Sequence, residues 1–312
     1  MQGWIYALLA TFTFVSSNVI FRKVEKDVSP AYINCVRTFI GIITFWVIAA
    51  ISGVFGLIFQ LPLILWIWLI LSFIFGQVIG DTSYFSAQKE LGVTQTMAIA
   101  LTFPLFTFIL SMIFLHEDFR YSIIISFIFI SLGVVLINKG IGKTKIEQDN
   151  AEINAENKRK KLWIAITFAF IASLGWAVGL VIVDYSTNQI TDITGLQEMS
   201  SVLANVVRFP FAFFILIGLV KHSDDSITVR NSKKTWLWLL LGSVIGTSFG
   251  AYLYTEATRT AGATIMSLFA NVSPIFAIPL DYLLNKQKIS WISLIGVFLV
   301  IIGILFVIFM KN

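Results

Sequence analysis

Two arginines stand inside otherwise apolar runs, each with an asparagine one helical turn ahead of it. "AYINCVRTFIG" carries Asn34 and Arg37, and "SSVLANVVRFP" carries Asn205 and Arg208. A guanidinium at the centre of a hydrocarbon layer costs about 2.5–3.5 kcal/mol on insertion scales, so such a group normally faces a protein interior and has a partner. Its planar fork suits a carboxylate or a phosphate. Asp81 is expected at the depth of Arg37, either to fasten the helix or to exchange for a substrate group. The position equivalent to Asp81 in the second run is Ala251, which leaves Asp184, Glu198 and Glu256 as acids for Arg208.

Gln77, Asp81, Tyr84 and Gln88 recur every three to four residues along one segment, and Thr247, Tyr252, Tyr254 and Glu256 lie along another. A polar stripe on a helix in lipid must face protein or water. Asn18 and Trp176 sit in small-residue stretches, "FVSSNVIF" and "SLGWAVGL", which favour close helix approach or could floor a site. The candidate binding set is therefore Arg37, Arg208, Asn34, Asn205, Gln77, Asp81, Tyr84, Asn18, Trp176, Thr247 and Tyr254. The alternative use of the same groups is hydrogen bonding between helices. Pro104 and Pro274 are expected to kink their helices, because proline lacks the backbone N–H, and a kink would suit rocking movements. Glu117 and Asp118, beside His116, read as loop anchors. His116 and His222 both lie near loops, and Cys35 is the single cysteine. No metal-ligand cluster, phosphate-binding loop, cofactor motif or Ser/His/Asp set is present, so no enzyme chemistry is expected.

The elements that hold these groups follow from composition. Of 312 residues, 57% are hydrophobic and 12% charged, where soluble domains carry about 25% charged residues. A spanning helix needs about 20 mostly apolar residues, and the sequence predicts ten, at roughly 3–22, 31–52, 63–87, 94–115, 120–138, 162–185, 196–220, 235–257, 264–284 and 289–310. Residues 1–20 lack a basic start, so no cleavable signal peptide is expected. The net charge of +5 is scattered between apolar segments and forms no basic face, which argues against nucleic acid as a partner.

Sliding the chain by 170 positions superposes "GQVIGDTSYFSAQKELGVTQTMAIALTFPLF" on "GTSFGAYLYTEATRTAGATIMSLFANVSPIF" without a gap. Gly76 falls on Gly246, Gly80 on Gly250, Tyr84 on Tyr254, Pro104 on Pro274 and Gly133 on Gly303; one position further on, Asn34 and Arg37 meet Asn205 and Arg208. Chance matches among Phe, Ile and Leu are common in such a chain, but matched Gly, Pro, Tyr and Arg mark a duplication. The expected organisation is a five-span repeat at 1–138, a charged linker at 139–161 and a second repeat at 162–312. Five is odd, so the second copy enters from the opposite face. The fold class is an all-α membrane protein of two inverted repeats, an architecture that recurs in secondary transporters. Lys and Arg concentrate in the loops after spans 1, 3, 5, 7 and 9, including seven cations from Lys139 to Lys161. By the positive-inside rule the linker is cytoplasmic and both termini are outside.

"LTFPLFTFILSMIFLHEDF…ISLGVVLI" resembles the end of an EamA domain, the repeat of the drug/metabolite transporter superfamily, with Pro104, Glu117 and Gly133 matching its pattern. "NVSPIFAIPLDYLLNKQKIS…IIGILFVI" resembles it again, with Pro274 and Gly303 in place. "VSPAYINCVRTFIG" is similar to the family's second helix, whose arginine is Arg37 here and Arg208 in the second copy. His116 stands where the pattern has Gly, and Gln287 where it has Glu, so no proton carrier is expected at Gln287. The resemblance covers essentially the whole chain and implies a carrier of amino acids, other metabolites, nucleotide sugars or drugs. It implies cytoplasmic termini in many relatives, opposite to the charge pattern here.

The leading expectation is a plasma-membrane secondary transporter that exports an amino acid or organic anion by alternating access. Its partners would be membrane lipid and a small-molecule substrate, and two complete repeats would suffice for a monomeric unit. A flippase for a lipid-linked phosphate is the alternative within transport. A non-transporting membrane receptor or scaffold is the alternative outside it.

Overall fold

Backbone inside lipid has no water to bond to, and a helix satisfies its polar groups within one segment. In the computed structural model, which describes residues 2–21, 23–24, 27–28, 30–91, 93–140, 155–222, 232–277, 279 and 291–309, every regular element is helical. Among the described residues, seven helices are long and apolar enough to cross a membrane: Gly3–Phe21, Tyr32–Ile51, Leu63–Gln88, Thr96–Phe114, Lys161–Thr194, Ser200–Gly218 and Lys233–Ala261. Three shorter apolar helices, Tyr121–Ile137, Ala263–Ala277 and Leu294–Phe309, stand where the fifth, ninth and tenth spans are expected.

In chain order the α-helices are α1 (Gln2–Phe21), α2 (Pro30–Ile51), α3 (Leu63–Phe73), α4 (Thr82–Leu91), α5 (Val93–Ala100), α6 (Phe103–Phe114) and α7 (Tyr121–Gly140). They continue as α8 (Ala155–Thr194), α9 (Ser200–His222), α10 (Lys233–Ser243), α11 (Gly250–Ala261), α12 (Ala263–Ala270) and α13 (Trp291–Phe309). Of the expected linker, residues 141–154 lie outside the described residues. α8 has 40 residues and is about 60 Å long at 1.5 Å per residue, twice the hydrocarbon thickness. Its first turns, with Lys158, Arg159, Lys160 and Lys161, and its polar end at 184–194 therefore extend past the apolar layer.

Three details depart from a plain set of α-helical spans. The third and eighth spans are interrupted by π-helical segments, Ile74–Asp81 and Val244–Phe249, which begin 170 residues apart. The hydrogen-bond ladder there is i to i+5, so α-helical spacing describes the Gln77–Gln88 stripe only from Thr82 onward. The fourth span breaks at Leu101–Thr102, and Pro104 is the second residue of α6, where no intrahelical donor is required. Pro274 holds the same place after the Asn271–Val272 turn. The prolines start new helices rather than bend continuous ones. At the end of α6, His116 takes φ +54°, the left-handed region that favours glycine, which accounts for a Gly in the resembled pattern. The Glu117 N–H donates to the Ser111 carbonyl at 3.2 Å, and Arg120 forms an ion pair with Glu117, so the acid anchors this loop.

The helices form two compact units, and each draws on both sequence repeats. One comprises Met1–Phe73 with Ile182–Asn285, the other Ile74–Val181 with Lys286–Asn312. In the first, α1 lies along α11 and α2 along α9, around a buried core that includes Phe45, Leu65, Leu69, Leu203 and Val207. The contacts of α2 with α9 run in opposite directions: Phe39 meets Phe213 with ring centroids 5.4 Å apart, and Phe45 meets Phe209 at 5.1 Å. In the second unit, α7 and α13 close on one another through glycines. A methyl on Gly133 would lie 2.5 Å from the Gly296 carbonyl oxygen, one on Gly296 equally near the Gly133 carbonyl, and one on Gly303 3.0 Å from the Ser126 carbonyl. Positions 126 and 296 are counterparts in the duplication, as are 133 and 303. Pairing 133 with 296 and 126 with 303 thus makes counterpart helices antiparallel about a two-fold axis across them. That is the inversion an odd span count requires.

Candidate functional site

In the first unit, Arg208 lies eight residues into α9, about 12 Å from its start. The antiparallel register puts Arg37, seven residues into α2, level with Ile215, so the two guanidinium-bearing positions are offset by about 10 Å along the helices. Both Arg37 and Asn34 are half-buried.

The Asn–x–x–Arg spacing is used in the second copy. Arg208 donates from Nη1 to the Asn205 Oδ1 at 3.4 Å, and fully buried Asn205 donates from Nδ2 to the Thr255 hydroxyl at 3.1 Å. The acids expected near Arg208 are otherwise engaged. Glu256 accepts from Arg259 Nη2 at 2.5 Å and from the Ser201 hydroxyl at 2.7 Å. Asp184 accepts from the Ala263 N–H at 2.6 Å and the Asn188 amide at 2.7 Å, and Glu198 is exposed. Arg208 forms no salt bridge among the described residues, and its buried Nε has no hydrogen-bond partner there. A buried donor left unmade costs about 1–3 kcal/mol, more for a charged group. Beside it, Tyr254 meets Phe14 edge-on at 5.9 Å, and Thr247 is buried on the second π segment. Thr44 of α2 and Ser248 of the same segment share a 2.8 Å hydrogen bond.

Two residues after Arg208, Pro210 sits inside α9 and cannot donate to the Val206 carbonyl. The Trp46 indole of α2 donates to that carbonyl instead, at 3.4 Å. Trp46→Phe is expected to cost about 1 kcal/mol, and most of that cost should vanish in a Pro210→Ala background, where the backbone supplies its own donor. A double-mutant cycle by reversible unfolding in micelles measures this coupling; additive losses would break the link.

The second unit holds the other cluster. Trp176 of α8 donates from Nε1 to the Asp81 Oδ1 at 2.8 Å, and its ring lies 5.3 Å from Tyr84 and 5.9 Å from Phe103. Gly80 is closed over by that indole. Its counterpart Gly250 lies against the Phe14 ring in the same way, so Tyr84–Trp176 here corresponds to Tyr254–Phe14 in the first unit. Where Trp becomes Phe the indole donor is gone, and where Asp81 becomes Ala251 the acceptor is gone with it. The two copies have diverged as matched pairs. Asn18 and Gln77 are exposed on their helices, and Pro104 and Pro274 are buried at helix starts. Thr255, Ser201, Phe14 and Pro210 were not anticipated as participants. Pro210 is visible in "NVVRFP", and the Gly–x–x–x–Gly spacing of 76/80 and 246/250 marks both π segments; the others depend on contacts distant in sequence.

A duplicated, inverted helical membrane protein with charged and amide side chains held inside its helices has the construction of a membrane transporter. The EamA-like transporter family matches residues 1–139 and again 163–309, and the chain belongs to that family. It is similar to an uncharacterized transporter of Archaeoglobus fulgidus, with 24% identity over 305 residues covering 96% of each chain. An uncharacterized transporter of Synechocystis sp. is 23% identical over 245 residues, covering 76% of this chain and 64% of that one. A solved structure described as "Crystal structure of protein" shares the fold, with a TM-score of 0.73 at 14% identity over 98% of this chain and 97% of that one. The protein is an integral membrane transporter and not an enzyme.

Proposed function

We propose that the chain is a plasma-membrane secondary transporter that exports a small organic metabolite, an organic anion or an amino acid, by alternating access. Arg208 is its principal contact for the solute's carboxylate or phosphate. One observation carries this reading: a guanidinium whose buried Nε has no partner among the described residues, while the acids expected for it, Glu256 and Asp184, are engaged elsewhere. An anion arriving there supplies the acceptors that the protein withholds, and the exchange is charge-assisted and bidentate. Asn205, anchored by Thr255, fixes the guanidinium's orientation. Arg37, Asn34, Thr247 and Tyr254 complete the polar surface of α2 and of the eighth span. Asn18 adds its amide from α1, Asp81, Tyr84 and Trp176 form a polar cluster of their own within the second unit, and the breaks before Pro104 and Pro274 let short helices swing. The excess of Lys and Arg in the loops after odd-numbered spans supports a cytoplasmic linker and external termini.

The test is counterflow. Purified protein in liposomes preloaded with one solute should accumulate the same labelled solute from outside, across a panel of carboxylates, phosphates and amino acids. Uptake of at least one anionic or zwitterionic solute, absent from empty liposomes, is the expected result. A panel with no counterflow, or flux confined to a lipid-linked phosphate, rejects the proposal.

A further inference from the structure

The surface of a membrane protein is largely convex and apolar, and lipid covers it without selection. One stretch of the first unit differs. Between α2 and α10 runs a groove of about 730 Å³ whose α2 wall includes Tyr32, Cys35 and Ile43 and whose α10 wall includes Lys233, Trp236 and Leu240. On each helix these positions follow the three-and-four spacing of a single face. From Tyr32 to Ile43 is about 16 Å at 1.5 Å per residue, the depth of one leaflet. Tyr32 and Trp236 meet edge-on at 6.4 Å at the end where both helices begin, a ring pair of the kind found at headgroup level. Lys233 lies at that end as well, the one charged residue among the described residues that line the groove, with Lys234 next to it. Two more contacts mark the same end. The Lys23 ammonium sits 4.1 Å over the Trp238 ring, and Asp27 accepts from the Thr235 hydroxyl at 3.1 Å.

We infer that this groove is a specific site for one anionic phospholipid, its acyl chain between α2 and α10 and its headgroup phosphate against Lys233. The apolar walls match a chain of one leaflet, the aromatic pair matches the interface, and the cation at the mouth supplies the charge complement that a zwitterionic lipid answers less well. The lipid is retained rather than carried, so the inference does not depend on what the transporter moves.

Cys35 makes the site readable, because it is the sole cysteine and lines the groove. The full-length protein is placed in nanodiscs of phosphatidylcholine with or without phosphatidylglycerol, and alkylation of Cys35 by a small maleimide is followed by intact mass. Phosphatidylglycerol should slow alkylation several-fold, and native mass spectrometry should find one such lipid retained per chain. Each lysine near an anionic surface contributes about fivefold in binding, so Lys233→Gln should remove most of the protection and Lys233→Gln with Lys234→Gln all of it. Equal rates in the two lipid mixtures overturn the inference, and so does protection that survives the double substitution. A bifunctional maleimide that joins two chains through Cys35 in phosphatidylglycerol nanodiscs would show that a second copy fills the groove, and overturns it too.

Discussion

Arg208→Ala is expected to lower counterflow of the anionic solute by roughly 100-fold, about the loss of one strong charge-assisted contact at 3 kcal/mol. Arg208→Lys keeps the charge but loses the planar fork and should recover only part of the rate. The stability of these variants carries the sharper information. An arginine that fastens helices contributes to folding, and its removal costs transport and melting temperature together. Arg208 instead leaves its Nε unpaired among the described residues and makes one long hydrogen bond, to Asn205. Arg208→Met fills a similar volume without the charge, and an isosteric apolar replacement of a poorly paired buried ion is often neutral or stabilising. The expected pairing is therefore transport abolished and melting temperature unchanged or raised. Counterflow within twofold of the original, or a marked drop in melting temperature, would falsify the assignment of Arg208 as a binding residue.

The second large effect concerns Gly133. A methyl added there meets the Gly296 carbonyl oxygen at 2.5 Å, the Val300 Cγ2 at 2.6 Å and the Val300 nitrogen at 2.9 Å. Two of those three atoms are backbone and cannot turn aside. Overpacking of a filled interior costs about 1–3 kcal/mol and more when backbone must move, so Gly133→Ala should lose at least that, and Gly133→Val should not yield a monodisperse protein. Gly218 on α9 is the control, because a methyl there meets nothing within 4 Å. Gly218→Ala should behave as the original in thermal unfolding and size exclusion. A Gly133→Ala protein that melts like the Gly218→Ala protein would show that α7 and α13 can part without cost.

The ten spans and the duplication were legible because their signals are long or costly to mimic: twenty apolar residues, or Gly, Pro and Arg repeated at one offset. The Asn205–Arg208 contact was legible too, since residues three apart on a helix are neighbours wherever the helix goes. Other parts were not. Hydropathy is blind to whether a carbonyl bonds i+4 or i+5, so Ile74–Asp81 and Val244–Phe249 read as plain helix. The extent of α8, Ala155–Thr194 against an expected 162–185, was missed because an apolar count stops where lipid stops, while the helix does not. Depth along a span can be counted from sequence, but the direction a side chain faces cannot. The bond of Asp81 to Trp176, 95 residues away, follows from packing alone. The same holds for Trp46 and the carbonyl that Pro210 releases.

The seam between α7 and α13 bears on ancestry. Its paired positions, 133 with 296 and 126 with 303, are the same two sites read from either copy, so an unduplicated five-helix precursor would already have owned both surfaces. Two such polypeptides, inserted in opposite senses, could have met through that seam before any gene fusion. Fusion then freed each copy to drift: one gained Asp81 with Trp176, the other Ala251 with Phe14, an asymmetry that no homodimer could have kept.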